Sequence, residues 1–469
     1  MSARQPASTP SGSEGATLQR RLGPLDGAAI VVSNVIGSGI FFVPMIVAAF
    51  YVSTGTAMLA VWAFGGLMAF AGAMAYAELA TLRPHAGGEY VYLRDAYGPV
   101  AAFMTGWTSF VAGFSGAIAA TSVGLAAFIG RFVPAAADTT PLLTIPLPLV
   151  PLVVSKQAIV AIIAIVLLSF VHFHSSGRVV HNVLASAKVA LLLVFIAVGL
   201  GWGHGTFANI SVASDVAGAS TGWILALVPI MFAYSGWNAA AYVAEEIKDP
   251  GKNVPLALGL GTLAVVAIYL ALNLLYLYAM PVGEMGALLG KVDRLTDVVA
   301  ERLLGNTAGN LVAVLTIVSM AASVSAMVLA GPRVYFAMAR DHVFLESAAR
   351  VHPKYRTPIL AITAQAVWAS ILVLCGSLST LVSYTGFAVV LFAGVAVGAL
   401  FVLRRREPNA QRPFKALGYP FAPGFFVLAS AGMVVAEIMR VPETALAGLA
   451  VIAAGLPVYF LIAARRKGR

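Results

Sequence analysis

Apolar runs of about 20 residues recur along the whole chain, separated by short polar or basic stretches. That length is what a helix rising 1.5 Å per residue needs to cross the hydrocarbon core of a bilayer. Twelve such runs are read, at about 24–50, 56–80, 99–130, 156–174, 182–203, 221–245, 254–280, 306–336, 358–376, 380–403, 420–440 and 443–464. Two of them contain a break. Gly37-Ser38-Gly39 interrupts the first run and Tyr234-Ser235-Gly236 the sixth. Glycine disfavours a helix by roughly 1 kcal/mol relative to alanine and accepts backbone angles that other residues avoid. In hydrocarbon an unwound stretch persists only where protein or ligand satisfies its free N–H and C=O groups. Interrupted helices at corresponding places in two halves of a chain point to the midplane binding site of a carrier.

Composition agrees with the pattern. The 469 residues are 60% hydrophobic and only 10% charged, and the mean hydropathy is +0.90; soluble domains carry about 25% charged residues. Residues 1–22 are polar and rich in Ser, Pro, Gly and Ala, with no apolar signal core. They are expected to form a disordered tail ahead of a single transmembrane domain at 23–465. The net charge of +10 is a matter of topology, not of nucleic-acid binding. With the N-terminus placed inside, 22 of the 29 Lys and Arg fall on inner segments and 6 on outer ones, Lys188 alone lying within a run. By the positive-inside rule both termini are expected in the cytoplasm of a multi-pass protein of the cell (inner) membrane. Cys375 is the sole cysteine, so no internal disulfide or thiolate metal cluster forms. The outer loop at 131–155 offers no cysteine to a second subunit, and no disulfide-linked ancillary subunit is expected. No cofactor or metal is expected either.

Runs one to five (about 24–203) and six to ten (about 221–403) each begin with an interrupted helix. A five-span repeat inserts with opposite topology in its second copy, which places a pseudo-two-fold axis in the membrane plane. Runs eleven and twelve (about 420–464) stand outside it.

The motifs then carry a resemblance. They are Ile36-Gly37-Ser38-Gly39-Ile40-Phe41, the stretch from Tyr76-Ala77-Glu78-Leu79 to Gly87-Gly88-Glu89-Tyr90, and Phe232-Ala233-Tyr234-Ser235-Gly236-Trp237-Asn238. Glu245-Glu246, Asp249-Pro250, Gly331-Pro332-Arg333, His352-Pro353 and Thr357-Pro358 continue them. Over roughly residues 20–440 the chain resembles the amino acid–polyamine–organocation transporter superfamily, and within it the L-type amino acid transporter branch. The resemblance implies an all-α integral membrane protein of twelve helices with the LeuT-type 5+5 inverted repeat, helices one and six broken and two extra helices at the C-terminus. It places an amino acid substrate between spans one, three, six, eight and ten. It also implies that Phe232 is a gating aromatic, that Trp237 and Asn238 border the substrate, and that Lys188 occupies the ion position of sodium-coupled relatives.

The chemistry of the breaks is argued without the family. A half-helix starting after Gly37 bares N–H groups that carry partial positive charge. The amides of Ser38, Gly39 and Ile40, with the Ser38 hydroxyl, suit a carboxylate. The carbonyls near Val35 and Ile36, and near Phe232 and Ala233, are expected to be free for an ammonium. The rival explanation of these glycines is close helix packing. Thr121, Ser122, Ser323 and Ser325 are candidates to face the centre, although such hydroxyls often bond their own backbone. No acid falls mid-run in runs one, three, six, eight or ten, so a neutral amino acid is the expected substrate. Lys188 within a run costs roughly 3 kcal/mol or more on insertion scales. It is read either as a fixed tether, making the carrier sodium-independent, or as a titrating group coupling transport to protons. Glu78, Glu89 and Arg83 are expected to pair in a loop, and Glu245 and Glu246 to meet Arg333 or Arg340 as an inner gate. The expected function is alternating-access exchange of neutral L-amino acids, with proton symport as the alternative. A polytopic enzyme would show His, Asp or Glu clustered at one face, and a channel would not need two facing breaks. Neither fits.

Overall fold

The computed structural model describes residues 18–146, 151–174, 176–214, 225–291, 295–305, 308–375, 378–440 and 442–467. Its helices are α1 (Pro24–Val35), α2 (Gly39–Phe50), α3 (Gly55–Leu82), α4 (Glu89–Tyr97), α5 (Pro99–Ile129), α6 (Lys156–Phe173), α7 (Gly177–Trp202), α8 (Leu227–Ala233), α9 (Ala239–Tyr242) and α10 (Pro250–Ala279). They continue with α11 (Val282–Ala287), α12 (Leu295–Leu304), α13 (Ala308–Arg340), α14 (Ile359–Cys375), α15 (Leu378–Arg406), α16 (Phe421–Arg440), α17 (Pro442–Ala453) and α18 (Gly455–Lys467). Among the described residues nine helical segments are long and apolar enough to cross a membrane, and the bent pair α1–α2 makes a tenth. The apolar α14 is shorter, and the start of the sixth run lies outside the described residues. A hairpin of β1 (Pro141–Ile145) and β2 (Leu152–Ser155) in the loop after α5 departs from the all-helical expectation.

Close packing follows from small residues. A Cβ on Gly65 would come within 2.4 Å of Ile230, on Gly72 within 2.7 Å of Phe426, and on Gly261 within 2.7 Å of Val31. Helices in lipid gain little from apolar burial against one another, so close backbone approach of this kind holds the bundle. α1 packs on α10 and α13, and α5 on α6, α13, α14 and α15. α5 is not uniform: residues Ser109–Gly113 form a π turn. One wider turn rotates everything beyond it by about one residue's worth, roughly 100°.

Residues 1–17 of the expected tail lie outside the described residues. Its last part is docked: Leu18 and Leu22 are buried, and Leu22 bridges Ile247, with Lys248 N–H donating to Leu22 O at 2.9 Å. Asp26 starts α1 by accepting the Gly23 N–H at 2.7 Å.

Charged side chains gather at the two ends of the bundle. At the end where Leu22 meets Ile247, Arg333 pairs with Glu246 (2.7 Å), Arg340 with Glu245 (3.0 Å) and Arg94 with Asp341 (2.8 Å). Both pairings expected for Glu245 and Glu246 are therefore present. Ion pairing was also expected for Glu78, Glu89 and Arg83; Glu78 and Arg83 show it, and Glu89 pairs with no cation among the described residues. Glu78 meets Arg404 (2.6 Å) and Arg412 (3.1 Å), and Arg83 meets Asp95 (2.7 Å) and Glu407 (2.6 Å). At the opposite end Arg131 holds Asp297 and Glu301, each at 3.2 Å.

Candidate functional site

α1 ends at Val35 and α2 begins at Gly39, with a bend of 47° between them. Gly37 N–H turns back onto Val35 O at 2.8 Å. The next amides, of Ser38, Gly39 and Ile40, donate to no acceptor among the described residues. Gly39 must be glycine, because a Cβ there would lie 2.8 Å from the Ala233 Cα, on the second break. Packing and unwinding thus explain the same residue.

The second break runs from the end of α8 at Ala233 to the start of α9 at Ala239. Gly236 turns it with φ of +101°, and a Cβ there would lie 2.9 Å from Asn34 Cβ. Asn34 stands on α1, so each break presses on the other's helix. The Tyr269 hydroxyl of α10 lies 2.9 Å from both Val35 O and Ala233 O. One side chain joins the two breaks.

Lys188 is fully buried on α7. Its ammonium donates to Ile36 O (2.5 Å), Ser33 O (3.1 Å) and Ser323 Oγ (3.3 Å). The Ser323 hydroxyl also reaches Ser33 O (2.6 Å) and Ile36 O (3.0 Å). These contacts correct the expectation that the carbonyls of the first break are free. A carbonyl has two lone pairs. Ile36 O serves Lys188 and Ser323, and Val35 O serves Gly37 N–H and Tyr269. Among the described residues Ala233 O accepts only from Tyr269, and keeps capacity.

A cavity of about 140 Å³ lies between the breaks. Of the residues singled out from sequence, Val35, Gly37, Ser38, Gly39, Thr121, Phe232, Ala233, Ser235, Gly236, Asn238 and Ser323 line it. Others do not. Ile36 and Ile40 are buried behind it. Tyr234 points away, its hydroxyl 3.1 Å from Trp62 O. Trp237 is buried against Tyr76 and Phe426, with ring centroids 4.9 and 5.4 Å apart. Ser325 bonds His172 at 2.7 Å, and buried Ser122 finds no partner among the described residues. Along an apolar helix neighbouring positions lie 100° apart, so Thr121 faces the cavity while Ser122 does not.

Sequence reasoning missed Glu89, Thr105, Thr108 and Tyr242, which line the same cavity. Gly87 (φ +113°) and Gly88 (φ +50°) deliver Glu89 at the start of α4; a Cβ on Gly88 would lie 2.6 Å from the Tyr242 ring. Glu89 Oε1 accepts from the Tyr76 hydroxyl (2.6 Å) and Asn238 Nδ2 (2.8 Å), and no cation pairs with it among the described residues. Burial pushes this carboxyl above the ordinary range, against the pull of the surrounding donors. The Gly-Gly turn beside an acid was the available signal.

Residues 22–462 match the family model described as amino acid permease. The chain belongs to the amino acid permease family. A multi-pass membrane protein follows from that membership and the apolar helices. The serine/threonine exchanger SteT of Bacillus subtilis is 30% identical over 456 residues, 94% of this chain and 97% of its own length. The b(0,+)-type amino acid transporter 1 of Mus musculus is 29% identical, over 95% of this chain and 88% of its own length. The large neutral amino acids transporter small subunit 2 of Homo sapiens is 29% identical, over 96% and 82%. The family and these relatives are transporters, which agrees with the superfamily and branch that the motifs pointed to.

Proposed function

We propose that this permease exchanges neutral L-amino acids across the cell membrane by alternating access, without sodium coupling. The observation that carries the reading is the set of amides at Ser38, Gly39 and Ile40 that lack partners among the described residues, Ser38 and Gly39 lining the cavity that the second break also lines. A carboxylate on those amides meets the positive end of α2. The ammonium of the same zwitterion then falls to the second break, where Ala233 O has a lone pair left. Relatives named as an exchanger of serine and threonine and as a transporter of large neutral amino acids lend support. Phe232 serves as the closing aromatic.

In this reading the chain forms twelve spans, α14 and the run containing α8 and α9 included, in the LeuT-type 5+5 arrangement with helices eleven and twelve outside it. Both termini are cytoplasmic, so the Arg333–Glu246 and Arg340–Glu245 pairs latch the inner end and Arg131 the outer. Lys188 holds the first break with its own charge, where a sodium ion would otherwise stand, and no disulfide-linked subunit is required. One observation favours a second reading, proton symport: the Lys188 ammonium meets only neutral acceptors among the described residues.

Counterflow in proteoliposomes, with labelled neutral amino acids and with or without a pH gradient, tests both. Exchange predicts uptake that requires amino acid inside the vesicle. Uptake driven by the gradient alone replaces exchange with symport, and no uptake of any neutral amino acid refutes both.

A further inference from the structure

The cavity is polar beyond what an α-amino acid backbone needs. Beside the two breaks it is walled by Glu89, Thr105, Thr108, Asn238 and Tyr242. Thr105 and Thr108 are 3% and 2% exposed, so their hydroxyls are withdrawn from solvent except through the cavity. The Thr108 Oγ1 has no hydrogen-bond partner among the described residues. Leaving a buried hydroxyl unsatisfied is costly. Glu89 presents a carboxyl group whose Oε1 accepts from Tyr76 and Asn238, with the Tyr242 and Thr105 hydroxyls also beside it. Asn238 Nδ2 also donates to the Tyr242 hydroxyl at 3.1 Å, so the cluster is held in place before any ligand arrives.

We infer that this polar wall of the cavity is a side-chain subsite for small hydroxylated amino acids. The inference rests on the exchange reading above, because the zwitterion must sit on the two breaks for its side chain to point here. A substrate hydroxyl has one proton to give and lone pairs to receive with. It donates to Glu89 and accepts from Thr108, which gives the Thr108 hydroxyl the partner it lacks. An aliphatic side chain of the same shape fills the space but leaves Thr108 unpartnered and strips water from Glu89. Sites built to bond a substrate hydroxyl reject the analogue lacking it far more strongly than apolar pockets reject a missing methylene.

Threonine and valine are the isosteric pair that reads this out. In counterflow the wild-type protein is expected to favour threonine over valine by about 10-fold or more. Thr108→Val, which keeps the shape and removes the hydroxyl, lowers that ratio by about 5-fold. Glu89→Gln, read in parallel, lowers it as well. Thr363→Val, whose hydroxyl bonds Ile359 O of its own helix at 3.0 Å, leaves the ratio where it was. The subsite is overturned if the wild type takes both amino acids equally. It is overturned too if the ratio survives in whichever of the two cavity variants elutes as a folded protein. Failure of every neutral amino acid to exchange is a different result and strikes the exchange reading itself.

Discussion

At the first break Val35 O takes Gly37 N–H and shares the Tyr269 proton, and Ile36 O takes Lys188 with the Ser323 hydroxyl in reach, while the amides that follow are bare. At the second break Ala233 O takes a single hydroxyl, and the turn is set by Gly236 at φ +101°. The same device, a helix interrupted in the middle of an apolar run, has thus been finished in two ways. One break is clamped from outside by a cation and keeps only its donors for a ligand. The other carries no clamp of that kind and keeps an acceptor. An occupant with a carboxylate and an ammonium has one correct orientation between them, which a pair of identical breaks would not impose.

The largest effect should come from filling the space between the breaks. Gly39→Val puts a branched side chain where a single Cβ already lies 2.8 Å from Ala233 Cα. Displacements of about 1 Å at a positioning group cost about 100-fold, so counterflow should fall by at least that much in protein that still elutes as a folded species. Near-normal exchange would mean that the bare amides do not hold the substrate.

The asymmetry is sharpened at Lys188. Lys188→Met keeps the stem and removes the charge that Ile36 O and Ser33 O share. Hydrogen bonds to charged groups contribute about 1.5–3 kcal/mol, which translates to a loss of roughly 10- to 100-fold in exchange. Unchanged exchange with unchanged pH dependence would leave the clamp without a function. The smallest effect belongs to the link between the breaks. Tyr269→Phe removes one neutral hydrogen bond, and exchange should slow about 5-fold; an effect larger than that of Lys188→Met would reverse the order of importance argued here.

The breaks and Lys188 were legible in the sequence because glycine pairs and a lone cation are conspicuous inside apolar runs. The polar wall of the cavity was not. Glu89 sits outside every apolar run and reaches the cavity only because Gly87 and Gly88 fold the chain back. Thr105 and Thr108 precede the π turn at Ser109–Gly113 and Thr121 follows it. No period carried across that turn gives the right face, and the sequence holds no sign of the turn itself. Trp237 and Tyr234 were misplaced for a related reason. A run apolar on all sides has no polar face from which to phase it, so which of seven consecutive residues look inward depends on the unwound geometry. The carbonyls of Val35 and Ile36 were expected to be free because their partners, Tyr269 and Ser323, arrive from helices far along the chain.

Tyr269 has a single hydroxyl hydrogen and two carbonyl oxygens equidistant from it. At any instant one of them goes without. In the exchange reading an ammonium on Ala233 O leaves the phenol to Val35 O, so that neither segment end is stripped of a donor during loading or release. That reading asks only for the rotation of one O–H bond, a barrier far smaller than breaking a helical rung.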